Sequence, residues 1–272
     1  MKKLSFIIAL MVLAVLAVSC KCQKSSEKTE NVESEEAVID ATKAVLADDV
    51  LALLDEYAED FIANFVEIHP VFTANLTEDE KLVRPDWFLD PAKLNDLVTK
   101  SQKVNALAIL LVDRPIMENL GIPTQEYDKV IGRLISELNN PFNFDDVQNM
   151  SIAEKIQKNF QICKERGETQ YVWNFAFAAQ NELMFIISRN PKAFLENITE
   201  EDYQKVYNRY YNCVKAAVAL APYDKDIAQA LEICKAEDNF IDEALFHTLA
   251  DAKESFVTKK ATFEKRRNAL LK

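Results

Sequence analysis

The sequence predicts an all-α fold, a stack of helical hairpins or an irregular bundle of about seven or eight helices. Three observations predict it. Only three glycines occur in 272 residues, whereas the hairpin turns and bulges of a β-sandwich or barrel draw on glycine for positive φ. Apolar residues recur at three- and four-residue steps along most of the chain, the period of one helix face. Helix starts and stops punctuate it at short intervals.

From the N-terminal side, Ala37 to Ile68 is amphipathic, with an interruption signalled at Asp48-Asp49 and a stripe of Leu46, Val50, Leu53, Tyr57, Phe61 and Phe65. Thr77 to Glu80 is a capping-box pattern for a short helix that Pro85 ends. Asp90-Pro91 reads as an N-cap and N1 proline. The helix behind it carries Leu94, Leu97, Val98, Val104, Leu107 and Leu111 inward and stops before Pro115, with Gly121 capping one further turn. Thr124 opens a helix with Tyr127, Val130, Ile131, Leu134 and Leu138 inward, and Asn139-Asn140-Pro141 closes it. Ser151 to Glu154 is a second capping box, and Gly167 ends its helix. An aromatic-rich helix spans 168–189, facing inward with Val172, Phe175, Ala179, Leu183 and Ile186. Thr199 starts the next, which ends at Pro222; a helix over 224–236 and a long C-terminal helix over 240–270 complete the set. Asn75, Asn149 and Asn197 each begin an N-x-S/T triplet, and the N-cap demand explains the hydroxyl residue in all three. Tyr127-Asp128-Lys129-Val130-Ile131-Gly132-Arg133 resembles Tyr203-Gln204-Lys205-Val206-Tyr207-Asn208-Arg209 at an offset of 76 residues, which Pro115 and Pro191 share. The match suggests an internal duplication, and chance likeness between amphipathic helices competes with it.

The first 36 residues belong to no core. Lys2 and Lys3 precede an apolar run, Leu4 to Val18, broken only by Ser5. That run falls short of the roughly 20 apolar residues of a membrane-spanning helix and suits a signal peptide over residues 1–19. It ends in Leu16-Ala17-Val18-Ser19-Cys20, which resembles the lipobox of bacterial lipoprotein leaders. The family pattern places Leu where Ala17 stands, one position after Leu16. The resemblance implies cleavage before Cys20, thioether lipidation and N-acylation of Cys20, and attachment to a membrane of the cell envelope by acyl chains (palmitate among them). Residues 20–36 then form a polar tether rich in charge, unable to bury a core, and residues 37–272 form a single all-α domain.

The formal net charge is −12, and −14 once Lys2 and Lys3 leave with the leader. An acidic surface repels phosphate backbones, so no nucleic-acid partner is expected. Lys259, Lys260, Lys265, Arg266, Arg267 and Lys272 form a basic C-terminal run; solvated cations complementing a helix dipole account for it, and a patch for phospholipid or an acidic partner is the alternative.

Chemistry-bearing motifs are few. With Cys20 acylated, Cys22, Cys163, Cys213 and Cys234 remain, and four cysteines allow three pairings. Cys213 and Cys234 lie about equally far from the turn at Pro222-Tyr223, the register of facing residues in an antiparallel hairpin. They are candidate disulfide partners, worth about 3 kcal/mol; the alternative is two buried thiols. Glu243, His247 and Asp251 follow at four-residue spacing, a weak candidate metal set on one helix face, which a solvated i,i+4 stripe explains as well. His69, beside Pro70, reads as a helix-end residue. No phosphate-binding glycine motif and no nucleophile elbow occur, and no cofactor is indicated. Aromatics concentrate at Trp87-Phe88, in a loop, and at Trp173, Phe175, Phe177, Tyr203, Tyr207, Tyr210 and Tyr211, where core packing competes with a sugar-stacking platform. Trp87, as a loop aromatic, is the candidate ligand contact.

The expectation is a lipid-anchored protein of the bacterial cell envelope, on the periplasmic face or the cell surface. The first reading is a non-enzymatic binding or scaffold protein that meets a protein or glycan partner. The alternatives are an envelope hydrolase or metal-dependent enzyme built on carboxylates with His247, and a glycan-binding lipoprotein centred on Trp87.

Overall fold

The computed structural model describes residues 46–66, 68–82, 87–139, 152–235 and 246–272. Residues 1–45, with the expected leader, Cys20 and the expected tether, lie outside the described residues. Among those described, every regular element is a helix and no strand occurs. The α-helices are α1 (Asp48–Ala63), α2 (His69–Ala74), α3 (Glu78–Leu82), α4 (Lys100–Asn119), α5 (Gln125–Glu137), α6 (Ile152–Glu165), α7 (Thr169–Arg189), α8 (Pro191–Leu195), α9 (Glu200–Leu220), α10 (Lys225–Lys235), α11 (Leu249–Ser255) and α12 (Lys260–Ala269).

The architecture is a bundle wrapped around α7. Its widest contact is with α4, and α6, α9 and α12 pack against its other sides. Helix α7 is therefore buried nearly all round, as a central helix must be. Trp173, Phe177, Met184 and Phe185 are fully enclosed, while Phe175, Ala179 and Leu183 of the expected inward stripe are only half-buried. The reason lies in the polar residues Asn174, Gln180, Asn181 and Glu182, which also enter the core. Helix α4 has seven successive buried residues, Val104 to Leu110. Outside this pair, α1 lies along α9, and α10 along α12.

Three boundaries differ from the sequence reading. Asp90 caps only a 3₁₀ turn, Pro91–Leu94, accepting from the Ala92 amide at 3.0 Å. The chain then breaks, because Thr99 and Gln102 form a capping box: Thr99 Oγ1 accepts from the Gln102 amide (3.1 Å) and Gln102 Oε1 from the Thr99 amide (2.9 Å). Val98, expected inward, falls in the break and is 83% exposed. Second, α4 does not stop before Pro115 but carries it inside. Proline removes one amide donor and crowds one turn, yet the next residues, Ile116 and Met117, are buried and hold the helix to Asn119. The stop comes at Gly121, φ +67°, where the Ile122 amide donates to Met117 O at 2.8 Å in a Schellman closure. Gly167 (φ +63°) ends α6 the same way, with the Glu168 amide on Cys163 O at 2.7 Å.

Third, the long C-terminal helix is divided. Residues 240–245 lie outside the described residues, Phe246 to Thr248 are not helical, and a 3₁₀ turn, Phe256–Lys259, separates α11 from α12. Thr248 starts α11 afresh: it accepts from the Asp251 amide at 3.2 Å and donates to Asp251 Oδ2 at 2.7 Å. The Glu200 carboxylate meets the Leu249 amide at 3.2 Å. Arg266 and Arg267, expected as solvated helix-end cations, are buried at 1% and 6% exposure; their charges serve the core instead of a dipole.

The two halves of the 76-residue match place their tyrosine and arginine alike. Tyr127 donates to Leu89 O and Tyr203 to Phe246 O, each at 2.6 Å. Arg133 donates to Leu94 O at 2.8 Å and Arg209 to Val66 O at 3.1 Å. The prolines do not correspond: Pro115 is inside α4, whereas Pro191 opens α8.

Candidate functional site

Two groups of side chains stand out in the folded chain, one on the surface and one sealed inside. The surface group follows the seam between α1 and α9. Tyr207 and Tyr211, one turn apart on α9, stack with ring centroids 6.2 Å apart and planes at 15°. The Lys215 ammonium, one turn further, lies 5.0 Å from the Tyr211 ring and 4.3 Å from the Tyr57 ring of α1, a cation held between two π faces. Tyr57, Tyr207, Tyr211 and Lys215 are all half-exposed, and Leu53 of α1 and Val218 of α9 are exposed large apolar residues on the same two helices. At the other end the Tyr207 hydroxyl meets His247 Nδ1 at 2.9 Å, with the rings 5.2 Å apart.

The segment bearing His247 is gripped by one face of α9. Gln204 donates to His247 O at 2.5 Å, Tyr203 to Phe246 O, and Glu200 accepts from the Leu249 amide. Glu200, Tyr203, Gln204 and Tyr207 recur at the 3- and 4-residue steps that align side chains on a helix. Burial, followed by the neighbouring Tyr207 and Glu200, raises the Tyr203 hydroxyl above its ordinary range.

The interior group joins four helices and a loop. Asp113 (α4) and Glu182 (α7) are wholly enclosed, and Arg267 (α12) nearly so. Arg267 Nε lies 2.6 Å from Glu182 Oε2, a charge contact without hydrogen-bond alignment, and its Nη2 lies 3.5 Å from Asp113 Oδ2. Its Nη1 donates to Trp87 O at 2.5 Å, and its guanidinium covers the Phe185 ring at 4.5 Å. Asp113 Oδ2 also accepts from the Leu89 amide at 3.0 Å, and the Tyr127 hydroxyl stands 3.0 Å from it. Burial pushes both carboxyls up against the downward pull of Arg267, and Glu182 well above the usual carboxylate range, helped by Asp113 beside it. The same burial, with Asp113 next to it, raises Tyr127 beyond any ordinary titration.

No family model matches this chain, and neither a curated protein nor a solved structure is significantly similar to it. Its own residues are therefore what bears on function.

The sequence-derived candidates are not brought together. Trp87 is half-buried, its ring edge-on to Phe72 at 6.2 Å and its carbonyl occupied by Arg267. His247 precedes α11 instead of sharing a helix face with Asp251, whose carboxylate is engaged by Thr248; Glu243 lies outside the described residues. No group of three or more His, Cys, Asp or Glu able to hold a metal occurs among the described residues. Cys213 is fully buried, its thiol pushed up by burial beyond the range in which thiolates form. The Cys234 side chain lies outside the described residues, and with it the pairing. His69 opens α2, and its side chain lies outside the described residues.

The sequence reading missed Asp113, Glu182 and Arg267. One signal was available: Glu182 is a lone carboxylate in Phe175-Ala176-Phe177-Ala178-Ala179-Gln180-Asn181-Glu182-Leu183-Met184-Phe185-Ile186-Ile187, and Asp113 closes the apolar run of α4. A charge so placed is buried and paired or it is not tolerated. Chemically, two wholly enclosed carboxyls can hold a proton but offer it to no substrate, while the tyrosine seam can be touched from outside.

Proposed function

We propose that the protein is a lipid-anchored binding or scaffold protein of the bacterial cell envelope that meets its partner along the tyrosine seam of α1 and α9. One observation carries the reading: the paired carboxyls that crowd one cation, Asp113 and Glu182, are shut inside, whereas Tyr57, Tyr207 and Tyr211 stand half-exposed along the α1–α9 seam. Tyrosine brings a large, stiff, amphipathic contact at low entropic cost and concentrates in binding hot spots. The anchoring rests on the lipobox-like Leu16 to Cys20, and the binding site's reach on the polar tether behind it.

Two measurements test it. Fatty-acid labelling in cells is expected for the native chain and lost in Cys20→Ala; equal labelling removes the anchor. A photo-crosslinking residue at Leu53 or Val218, on the seam, is expected to capture one recurrent envelope component, lost on Tyr207→Ala with Tyr211→Ala. The same probe at Val98, exposed in the break before α4, is the control. Identical capture at both places removes the seam as the binding face.

A further inference from the structure

The interior cluster holds an unbalanced charge. Into one buried site the fold brings Asp113 from α4, Glu182 from α7, Arg267 from α12 and the Tyr127 hydroxyl from α5, and the 87–89 loop adds backbone groups. Among the described residues, the other arginines of α4, α7 and α12 are committed elsewhere: Arg114 to Asp128 and Glu118, Arg189 toward Glu264, and Arg266 to the Tyr210 hydroxyl. Two ionised carboxylates against one guanidinium would leave a net negative charge out of reach of bulk solvent, a state proteins avoid by neutralising a group. The hydrogen-bond inventory agrees. Asp113 Oδ2 has the Leu89 amide and Arg267 as donors, with the Tyr127 hydroxyl (its hydrogen on Leu89 O) 3.0 Å away, but the buried Asp113 Oδ1 and Glu182 Oε1 have no donor at all. Both carboxyls crowd onto one guanidinium, Glu182 Oε2 at 2.6 Å from Nε and Asp113 Oδ2 at 3.5 Å from Nη2, and a carboxyl pair supplies a donor of its own only when one member carries a hydrogen.

We infer that Asp113 and Glu182 share one proton at neutral pH, and that this proton is the latch by which α12, through Arg267, is docked onto α4 and α7. With the proton in place the cluster is neutral and one carboxyl has a hydrogen to donate. Without it, the two carboxylates repel across a contact that Arg267 must bridge alone. The direction with pH follows. The unfolded chain gives up both protons in the ordinary carboxyl range, around pH 4 to 4.5, while the folded chain keeps one. Stability from this pair is thus full below that range and is lost as pH rises toward the folded pair's own titration, tenfold in the folding equilibrium per pH unit.

The test uses the full chain. Infrared spectroscopy at pH 7, where other carboxyls are ionised, is expected to show the carbonyl band of an un-ionised carboxylic acid, and Glu182→Gln to abolish it. The glutamine amide is a permanent donor to Asp113 and leaves Asp113 with Arg267 as a neutral pair. Urea midpoints between pH 5.5 and 8.5 should fall more steeply for the native chain than for Glu182→Gln, by up to that tenfold per pH unit. Amide exchange over residues 260–269 should accelerate with pH only in the native chain, after correction for the intrinsic rate. Absence of the acid band at pH 7 overturns the shared proton; an unchanged slope or exchange profile in Glu182→Gln overturns the latch. Should Glu182→Gln fail to fold, the pH 7 spectrum of the native chain and its loss of band on titration to alkaline pH decide the matter alone.

Discussion

Replacing Trp173 is the sharpest probe of how the bundle is held together. Its ring is 1% exposed and lies edge-on to Phe160 (4.9 Å) and Phe61 (6.1 Å), so that α1, α6 and α7 meet on one indole. Truncating a buried Trp to Ala costs about 3–5 kcal/mol in lost transfer energy and cavity, and each aromatic pair adds about 0.5–1.5 kcal/mol. Trp173→Ala should therefore destabilise by about 5 kcal/mol. The phenylalanine variant behaves differently. The indole Nε1 is buried without an acceptor, a desolvation cost of about 1–3 kcal/mol, and Phe removes that group while keeping an aromatic edge toward both neighbours. The smaller cavity and the relieved N–H nearly offset, and Trp173→Phe should lie within about 1.5 kcal/mol of the native chain. Urea unfolding followed by far-ultraviolet circular dichroism reads both. With a denaturant slope of about 3 kcal/mol per molar, the alanine midpoint drops by about 1.7 M and the phenylalanine midpoint by less than about 0.5 M. An alanine variant within about 0.5 M of the parent would refute the three-helix junction. A phenylalanine variant as costly as alanine would refute the reasoning about the nitrogen.

Three further outcomes follow from local geometry. Thr99→Ala removes the acceptor for the Gln102 amide and a 2.6 Å bond to Asp226 at the start of α10, and should cost about 1–2 kcal/mol in the same assay. Gly121→Ala meets no atom within 4 Å, so its cost is the left-handed backbone alone, about 1–2 kcal/mol; a near-zero change would mean that the turn relaxes. Arg267→Met leaves Asp113 and Glu182 without a cation, and should cost about 3–5 kcal/mol at pH 8 and visibly less at pH 5, where both carboxyls can hold protons. Equal losses at the two pH values would assign Arg267 a packing role only.

Most of the helical framework was legible because it rests on short-range chemistry. Gly121 and Gly167 adopt the positive φ expected of helix-closing glycines, and Thr199 caps α9 through the Asp202 amide at 3.1 Å. The failures also have local causes. Thr99 with Gln102 and Thr248 with Asp251 are capping pairs that outrank Asp90-Pro91 and an unbroken C-terminal stripe. What sequence alone hid is long-range. Nothing near Arg267 says that it faces Asp113, 154 residues away. Nor does anything near Tyr207 say that His247 lies beside it, although its four-residue spacing to Tyr211 fixed the ring pair. Periodicity tells which face is apolar; it does not tell which polar residue on a buried helix finds a counter-charge.

Arg267 also sets an order of events during synthesis. The acids are made early, at positions 113 and 182, and the cation that meets them among the described residues comes some 85 residues after the second. Until then, an attempt to close α4 onto α7 brings Glu182 toward Asp113 with nothing to compensate them. Closing that contact early therefore costs the nascent chain either charge repulsion or the uptake of a second proton. For a polypeptide that crosses a membrane before it folds, as the export reading proposes, such a cost favours the threadable state until the final turns arrive.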